Sequence, residues 1–492
     1  MPDKKISITP FLLFHITAVV CIGIFVCWHA FTMGIAFDET YSLKLVKEHY
    51  YRAMPGSANT HWLNTFFMII EHSIFGDSRG WLRLHSILAF PFFAHGVYVL
   101  LKNNKNLFIA FAGYCFIVFN PYLIDFFSLA RGYSLALTFQ AWMLVYLIRA
   151  GSQQRFVSRE WLLVLLFSAL SVASNLTYVY SAITALVVLL SCAIYFHPDG
   201  YQWKNRQLRI TISLFTLLIV LSFADLLFMK YYARTLEYGG ENLIASVFES
   251  VVHRSLYKIT DVFEPGIIGY ITFITVVGIS LFGVIQATST KTLSPLLSVS
   301  ILLLIIITCN YLFHLLFKSP YLYVRTAVQW YVPAIAAITF ATSMVKAGAT
   351  RGRVLVQRAA CIALGVIMMI HFGIHANVYT CLEWMRTEDL YRAYKDLEKI
   401  NPPSFVLHQK FDGLYVNYYK ITDKDPITIP FTYFSEEQLT ATDSSLNAIL
   451  SKEQYIITFE PSRLITYLKE NRFPFQVIKE YSHSGFKLIK IN

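Results

Sequence analysis

The stretch that decides the fold is residues 10–40, PFLLFHITAVVCIGIFVCWHAFTMGIAFDET. Twenty-five residues run from Pro10 to Gly34 without a single Asp, Glu, Lys or Arg, and an acidic pair, Asp38 and Glu39, follows a few residues later. A run of that length covers the roughly 30 Å of bilayer hydrocarbon as a helix and exceeds the h-region of a secretory signal. With MPDKKISIT before it and no A-x-A-like site after it, the run reads as a retained first span.

The same test applied along the 492 residues gives about eleven spans. They lie near 10–34, 81–101, 107–124, 131–148, 160–174, 177–196, 210–229, 266–286, 294–316, 327–345 and 359–378. The fifth and sixth share one apolar stretch, divided by a turn placed at Ser174 and Asn175. Composition agrees: 56% of residues are hydrophobic and only 14% are charged, with a mean hydropathy of +0.51, too little polar surface for a soluble chain of this length. Aromatic residues make up 16%, which suits interfacial belts. The fold class expected is a polytopic α-helical membrane protein.

The formal charge of +11 is spread over short clusters between apolar runs, with no accompanying nucleic-acid motif, so no nucleic-acid partner is expected. Lys102 and Lys105, then Arg149, Arg155 and Arg159, then Lys204, Arg206 and Arg209, then Lys346, Arg351, Arg353 and Arg358 fall on alternate connections. By the positive-inside rule these are cytoplasmic, as is the N-terminus. An odd number of spans puts the C-terminal segment outside, together with 35–80, 230–265 and 317–326. The localisation expected is the cytoplasmic (inner) membrane, multi-pass, with a periplasmic or other extracytoplasmic C-terminal domain. The seven cysteines show no CxxC and read as small buried hydrophobes.

From residue 379 the composition changes. Short β-rich runs, SFVLHQ, YIITFE and FQVIKEY, surround a helical SRLITYLKEN. The domains expected are therefore 1–378, a membrane module whose outside loop at 35–80 carries juxtamembrane helices, and 379–492, a small soluble α/β domain. No internal repeat of the kind transporters often carry is visible.

Candidate chemistry gathers at the outer boundary. Asp38 and Glu39 sit just past the first span, where a carboxylate can act as base on an amphiphile; from position alone, interfacial punctuation is the commoner reason for an acidic pair. HWLNTFFMIIEHSIF, from His61, has the spacing of a helix lying on the membrane surface. NPYLIDFFSLARGYSLALTF places Asp125, Arg131 and Tyr133 near the outer end of the third and fourth spans, where charge is costly unless paired, snorkelling or functional. KSPYLYVRTAVQWYVP sets Arg325 just before the tenth span. A single His61 can bind a metal or phosphate or be structural; no metal-ligand spacing accompanies it. His314, His371 and His375 lack the second polar partner that an acyltransferase would need, and Asp225 lies unexplained within the seventh span.

With these residues assembled, the chain resembles the GT-C glycosyltransferases, particularly bacterial relatives of the protein mannosyltransferases and aminoarabinose transferases. FDET, ANTHWLNTFF with IFGDSRGWLRLHS, NPYLIDFFSLARGYSLALTF and VRTAVQWYVP carry the resemblance, over about the first 340 residues. It implies a membrane enzyme that moves a sugar from a polyprenyl-phosphate donor to a hydroxyl of a lipid, glycan or protein acceptor at the outer face. It implies Asp38 as catalytic base with Glu39 beside it, Arg131 and Arg325 on the carrier phosphate, and His61 and Tyr133 among the substrate-binding residues. A divalent metal stays open as cofactor. THWLN stands where the family commonly has a His-Pro-Pro-Leu-like segment, which leaves the role of His61 open. A lipid or glycan transporter or flippase, and a glycan polymerase or ligase, are the alternative readings.

Overall fold

A computed structural model of the chain describes residues 9–47, 61–104, 106–153, 155–197, 201–236, 238–257, 264, 266–290, 293–344, 351–384, 386–408, 429–434, 454–459, 463–481 and 485–491. Lys105, Lys346, part of the outside stretches and the ends of two expected strands lie outside these residues.

The chain divides into two compact units. The first comprises Met1–Cys27, Tyr50–Met68 and Arg83–Ala376. Its long helices are α1 (Pro10–Thr32), whose first part belongs here, then α4 (Leu84–Leu101), α5 (Leu107–Val118), α7 (Gly132–Ser152), α8 (Ser158–Ser174), α9 (Val179–Ser191), α10 (Arg206–Phe228), α12 (Ile267–Thr290), α13 (Pro295–Phe317), α14 (Tyr331–Met344) and α15 (Arg351–His375). Shorter pieces are α6 (Pro121–Asp125) and α11 (Ser250–Ser255). Every expected span has its helix, but among the described residues nine are long and apolar enough to cross a membrane, or ten if one bent pair is a single span.

The shortfall from eleven has two physical causes. α8 has 17 residues, about 25 Å at 1.5 Å per residue, short of a hydrocarbon core. The third span breaks after Val118, where Leu107–Val118 and Pro121–Ser128 meet at 50°. Asn120 caps the new helix by accepting from the Tyr122 and Leu123 amides at 3.0 and 3.3 Å, and Pro121, which has no amide hydrogen to lose, takes its first position. α8 ends at Ser174, and the extended Asn175 starts the next segment by accepting from the Thr177 amide at 3.0 Å.

Burial sorts the spans. Those beginning at Trp81, Gly132 and Val324 have two-thirds or more of their apolar window inside the protein, whereas those at Arg206, Ile267 and Gly352 have less than a quarter. The outer helices turn Leu217, Val220, Ile271, Ile274, Ile367 and Ile374 to lipid. Cys115, Cys192, Cys361 and Cys381 are buried as expected, but Cys309 is only partly buried and Cys21 and Cys27 are exposed on α1.

The second unit comprises Trp28–His49, Ile69–Leu82 and Asn377–Asn492. It contains α2 (Phe37–Lys47), the last part of α3 (Trp62–Phe75), α16 (Arg386–Ile400), α17 (Leu464–Glu470) and five strands: β1 (Phe405–His408), β2 (Phe431–Phe434), β3 (Gln454–Phe459), β4 (Phe475–Tyr481) and β5 (Phe486–Ile491). The strand order is β2-β1-β3-β5-β4, with β1 parallel to β2 and β3, and β5 antiparallel to β3 and β4. Val406, Ile456, Leu464, Leu468 and Ile491 form its core. Segments distant in sequence are tied in: the Thr32 hydroxyl donates to the Val378 carbonyl, Arg79 lies 5.1 Å from the Tyr391 ring, and Asp77 joins Lys47 at 2.6 Å to His72 at 3.0 Å.

Asp396 of α16 pins that helix to β4. Burial pushes its carboxyl up, but hydrogen bonds from Lys479 (2.5 Å), Lys399 (2.9 Å) and Tyr481 (3.0 Å) overcome this and hold it at about 2. A carboxylate depressed on folding stabilises above its unfolded value near 3.8, and that contribution disappears as pH falls toward 2. Hydrogen exchange in 386–400 and 475–481 is therefore expected to be faster in Asp396→Asn at pH 7. The difference from wild type should close between about pH 4 and pH 2; equal exchange at pH 7 would contradict it.

Candidate functional site

Around His61 the first unit brings the starts of α3 and α7 and the end of α8 together. His61 immediately precedes α3 and is 4% exposed. Its ring donates to the backbone carbonyl of Ser174, at the end of α8, and meets the Tyr133 ring edge-on at a centroid distance of 5.2 Å. Gly132, first residue of α7, makes this approach possible. A Cβ there would lie 1.8 Å from the Ser174 carbonyl oxygen and 2.8 Å from the His61 Cβ.

Gly132→Ala must push the backbone of Ser174 or the histidine aside, and overpacking of this kind costs about 1–3 kcal/mol. The variant is expected to unfold several degrees below wild type in detergent, by nanoscale fluorimetry. An unchanged Tm would mean that the three segments do not meet as described.

Two arginines act on His61. Arg131, the extended residue capping α7, is 1% exposed. Arg325, half-buried, lies with its guanidinium 4.3 Å from the centre of the Tyr238 ring. Burial first, then the charges of Arg131 and Arg325, drive the His61 imidazole well below its ordinary titration range, against the opposing pull of the Ser174 bond. The ring is neutral at physiological pH, and the positive charge of this site is that of the two guanidinium groups.

The Arg325 segment is held tightly. Val324 has φ of 47°, a left-handed conformation that a β-branched residue enters only when its surroundings impose it. Its amide donates to the Ser250 hydroxyl at 3.0 Å, the Trp330 indole donates to the Val247 carbonyl at 2.7 Å, and Gly240 pairs with Tyr321 as an isolated antiparallel bridge. Three tyrosines unmarked by the sequence reading touch or lie near residues that it singled out. Tyr238 supports Arg325; Tyr257 donates to Asp125 Oδ2 at 2.9 Å; Tyr178, fully buried, lies within electrostatic reach of Tyr133 with no hydrogen-bond partner for its hydroxyl among the described residues. Tyr178 sits inside an apolar run, where a tyrosine reads as an ordinary core aromatic.

Asp38 and Glu39 lie in the second unit, in the first turn of α2, 4% and 2% exposed. A carboxylate is favoured there by the helix's N-terminal dipole. Glu39 Oε2 accepts from the Ala36 amide at 2.7 Å, closing the helix start, and the main-chain carbonyl of Asp38 accepts from the Ser42 hydroxyl at 3.4 Å. The structure thus gathers His61, Tyr133, Arg131 and Arg325 in one unit and places the acidic pair in the other. Among the described residues, no group of three or more His, Cys, Asp or Glu is arranged to hold a metal ion.

No protein-family model and no curated protein sequence matches this chain. Solved structures do. ArnT from Cupriavidus metallidurans bound to undecaprenyl phosphate is similar over 99% of this chain and 98% of its own, with a TM-score of 0.53 at 10% identity. The apo form gives 0.51 at 9% identity, over 97% of both chains. The oligosaccharyltransferase of Archaeoglobus fulgidus is similar over 98% of this chain and 74% of its own, at 0.49 and 10% identity. The chain has the GT-C fold, a multi-pass helical membrane protein with a small mixed sheet near its C-terminus.

Proposed function

We propose that this protein is a membrane glycosyltransferase that moves a sugar from a polyprenyl-phosphate donor to an acceptor hydroxyl at the outer face of the cytoplasmic membrane, with inversion at the anomeric carbon. The observation that carries the reading is the pair of guanidinium groups, Arg131 buried and Arg325 stacked on Tyr238, that act together on one neutral histidine. Such a pair is a fixed site for an anion, and a lipid phosphate brings its own anion to a membrane protein. The likeness to an ArnT bound to undecaprenyl phosphate supports it at the level of the fold.

The chemistry asks little of the protein. The acceptor oxygen attacks the anomeric carbon, the bond from that carbon to the phosphate oxygen breaks, and the polyprenyl phosphate leaves carrying the charge. Arg131 and Arg325 stabilise that charge, so no general acid is needed. The acceptor's proton passes to a carboxylate, which we assign to Asp38. Glu39, bound to the Ala36 amide, sets the start of the helix that carries Asp38. A single displacement without a covalent intermediate inverts the configuration. NMR of the transferred sugar should show the anomer opposite to that of the donor; retention would overturn the direct mechanism.

We place the N-terminus in the cytoplasm and residues 379–492 outside, as a soluble domain following the membrane module of residues 1–378. Lipid, glycan and protein acceptors remain the classes to be tested.

A further inference from the structure

The unused feature of the site is one nitrogen. His61 Nε2 is buried, with no hydrogen-bond partner among the described residues. The Ser174 carbonyl can only accept, so the ring nitrogen facing it carries the hydrogen. With Nε2 unpartnered, that nitrogen is Nδ1, and in a neutral imidazole Nε2 then holds a lone pair and no proton. Burial and the two guanidinium charges keep the ring in that form.

A lone pair cannot serve the ligand that the arginines attract. The phosphate of a polyprenyl-phosphate sugar is a diester with acceptor oxygens only, and an acceptor facing an acceptor is repulsive. What Nε2 can satisfy is an O–H. A ligand that fills both needs carries a hydroxyl a short distance from an anion, as a sugar bound through its anomeric carbon to phosphate does. We propose that His61 reads the sugar of the donor, Nε2 accepting a hydrogen bond from one of its hydroxyls, and makes no contact with the phosphate. The inference rests on the reading of the protein as a polyprenyl-phosphate-sugar transferase and makes His61 a specificity residue of it.

The test separates headgroup from phosphate. Binding to the full chain in nanodiscs is measured by native mass spectrometry for undecaprenyl phosphate and for undecaprenyl phosphate bearing mannose, glucose or arabinose. The wild-type protein should prefer at least one sugar-bearing lipid to the bare one. His61→Phe should lose that preference by roughly tenfold, the size of one hydrogen bond to a buried group, while binding bare undecaprenyl phosphate within about twofold of wild type, which also shows that the variant is folded. His61→Gln, whose amide oxygen can accept, should recover part of the preference.

Equal weakening of bare and sugar-bearing lipid by His61→Phe would mean a phosphate contact and overturn the proposal. So would a preference that survives His61→Phe, or a wild-type protein that binds all four lipids alike. If the wild-type protein binds none of them, the transferase reading falls and the proposal with it.

Discussion

Asp38→Asn is expected to lower sugar transfer by roughly 10²- to 10⁴-fold, the range in which a positioned general base contributes. Asparagine keeps the size of the side chain and loses only the ability to take a proton. The carboxylate it replaces is buried in the first turn of α2, where the helix terminus favours its charge. The protein should therefore remain folded, with Tm within a few degrees of wild type and donor binding little changed. Near-normal turnover would remove Asp38 from the chemistry. The neighbouring position is a built-in contrast: Glu39 accepts from the Ala36 amide at 2.7 Å, so Glu39→Gln should act mainly through stability.

Arg131→Gln is expected to reduce transfer by roughly 10²- to 10³-fold, the usual effect of removing one fixed group that meets charge developing in the transition state. The case for so large an effect is burial. At 1% exposure, beside a neutral histidine, the guanidinium is shielded from the water that makes surface charges interchangeable. Arg131→Lys should recover only part of the loss, because a single ammonium cannot reproduce the planar fork on two phosphate oxygens. Steady-state kinetics with a polyprenyl-phosphate sugar, alongside binding of bare polyprenyl phosphate, checks this. A variant that binds the bare lipid and turns over like wild type would show that Arg131 is a structural cation.

The membrane architecture was legible because lipid imposes a length and a composition on every span, and both survive in sequence. The division at Ser174 and Asn175 followed from length alone, and α8 ends at Ser174. What length could not convey was the 50° break at Asn120–Pro121, where a cap and an N-terminal proline restart a helix inside an apolar run. In the C-terminal domain β1, β3 and β4 stand out by their alternation or β-branched content. β2 and β5, which complete the sheet at an edge and within it, were not singled out.

For the site, charge was the signal. Arg131 and Arg325 were visible because an arginine beside hydrocarbon is conspicuous, and Tyr133 came with its motif. The neighbours that define how they work were silent. Gly132 matters through a carbonyl forty-two residues away at Ser174, Tyr238 through its ring beneath Arg325, and Tyr178 through its electrostatic reach to Tyr133, none of which local spacing encodes. His61 was the ambiguous case. Burial and the two arginines hold it neutral against the pull of the Ser174 bond, and that bond, with Nε2 unpartnered, leaves the lone pair on Nε2.

The central claim is that this protein breaks the bond between a sugar and its polyprenyl phosphate using Asp38. It is tested most directly by incubating wild type and Asp38→Asn in proteoliposomes with a panel of undecaprenyl-phosphate sugars and a membrane-lipid extract, following free undecaprenyl phosphate by mass spectrometry. The account predicts release from at least one donor by wild type and at most a trace by Asp38→Asn. No release from any donor, with labelled lipid crossing the bilayer all the same, would contradict it and mark the protein as a lipid transporter.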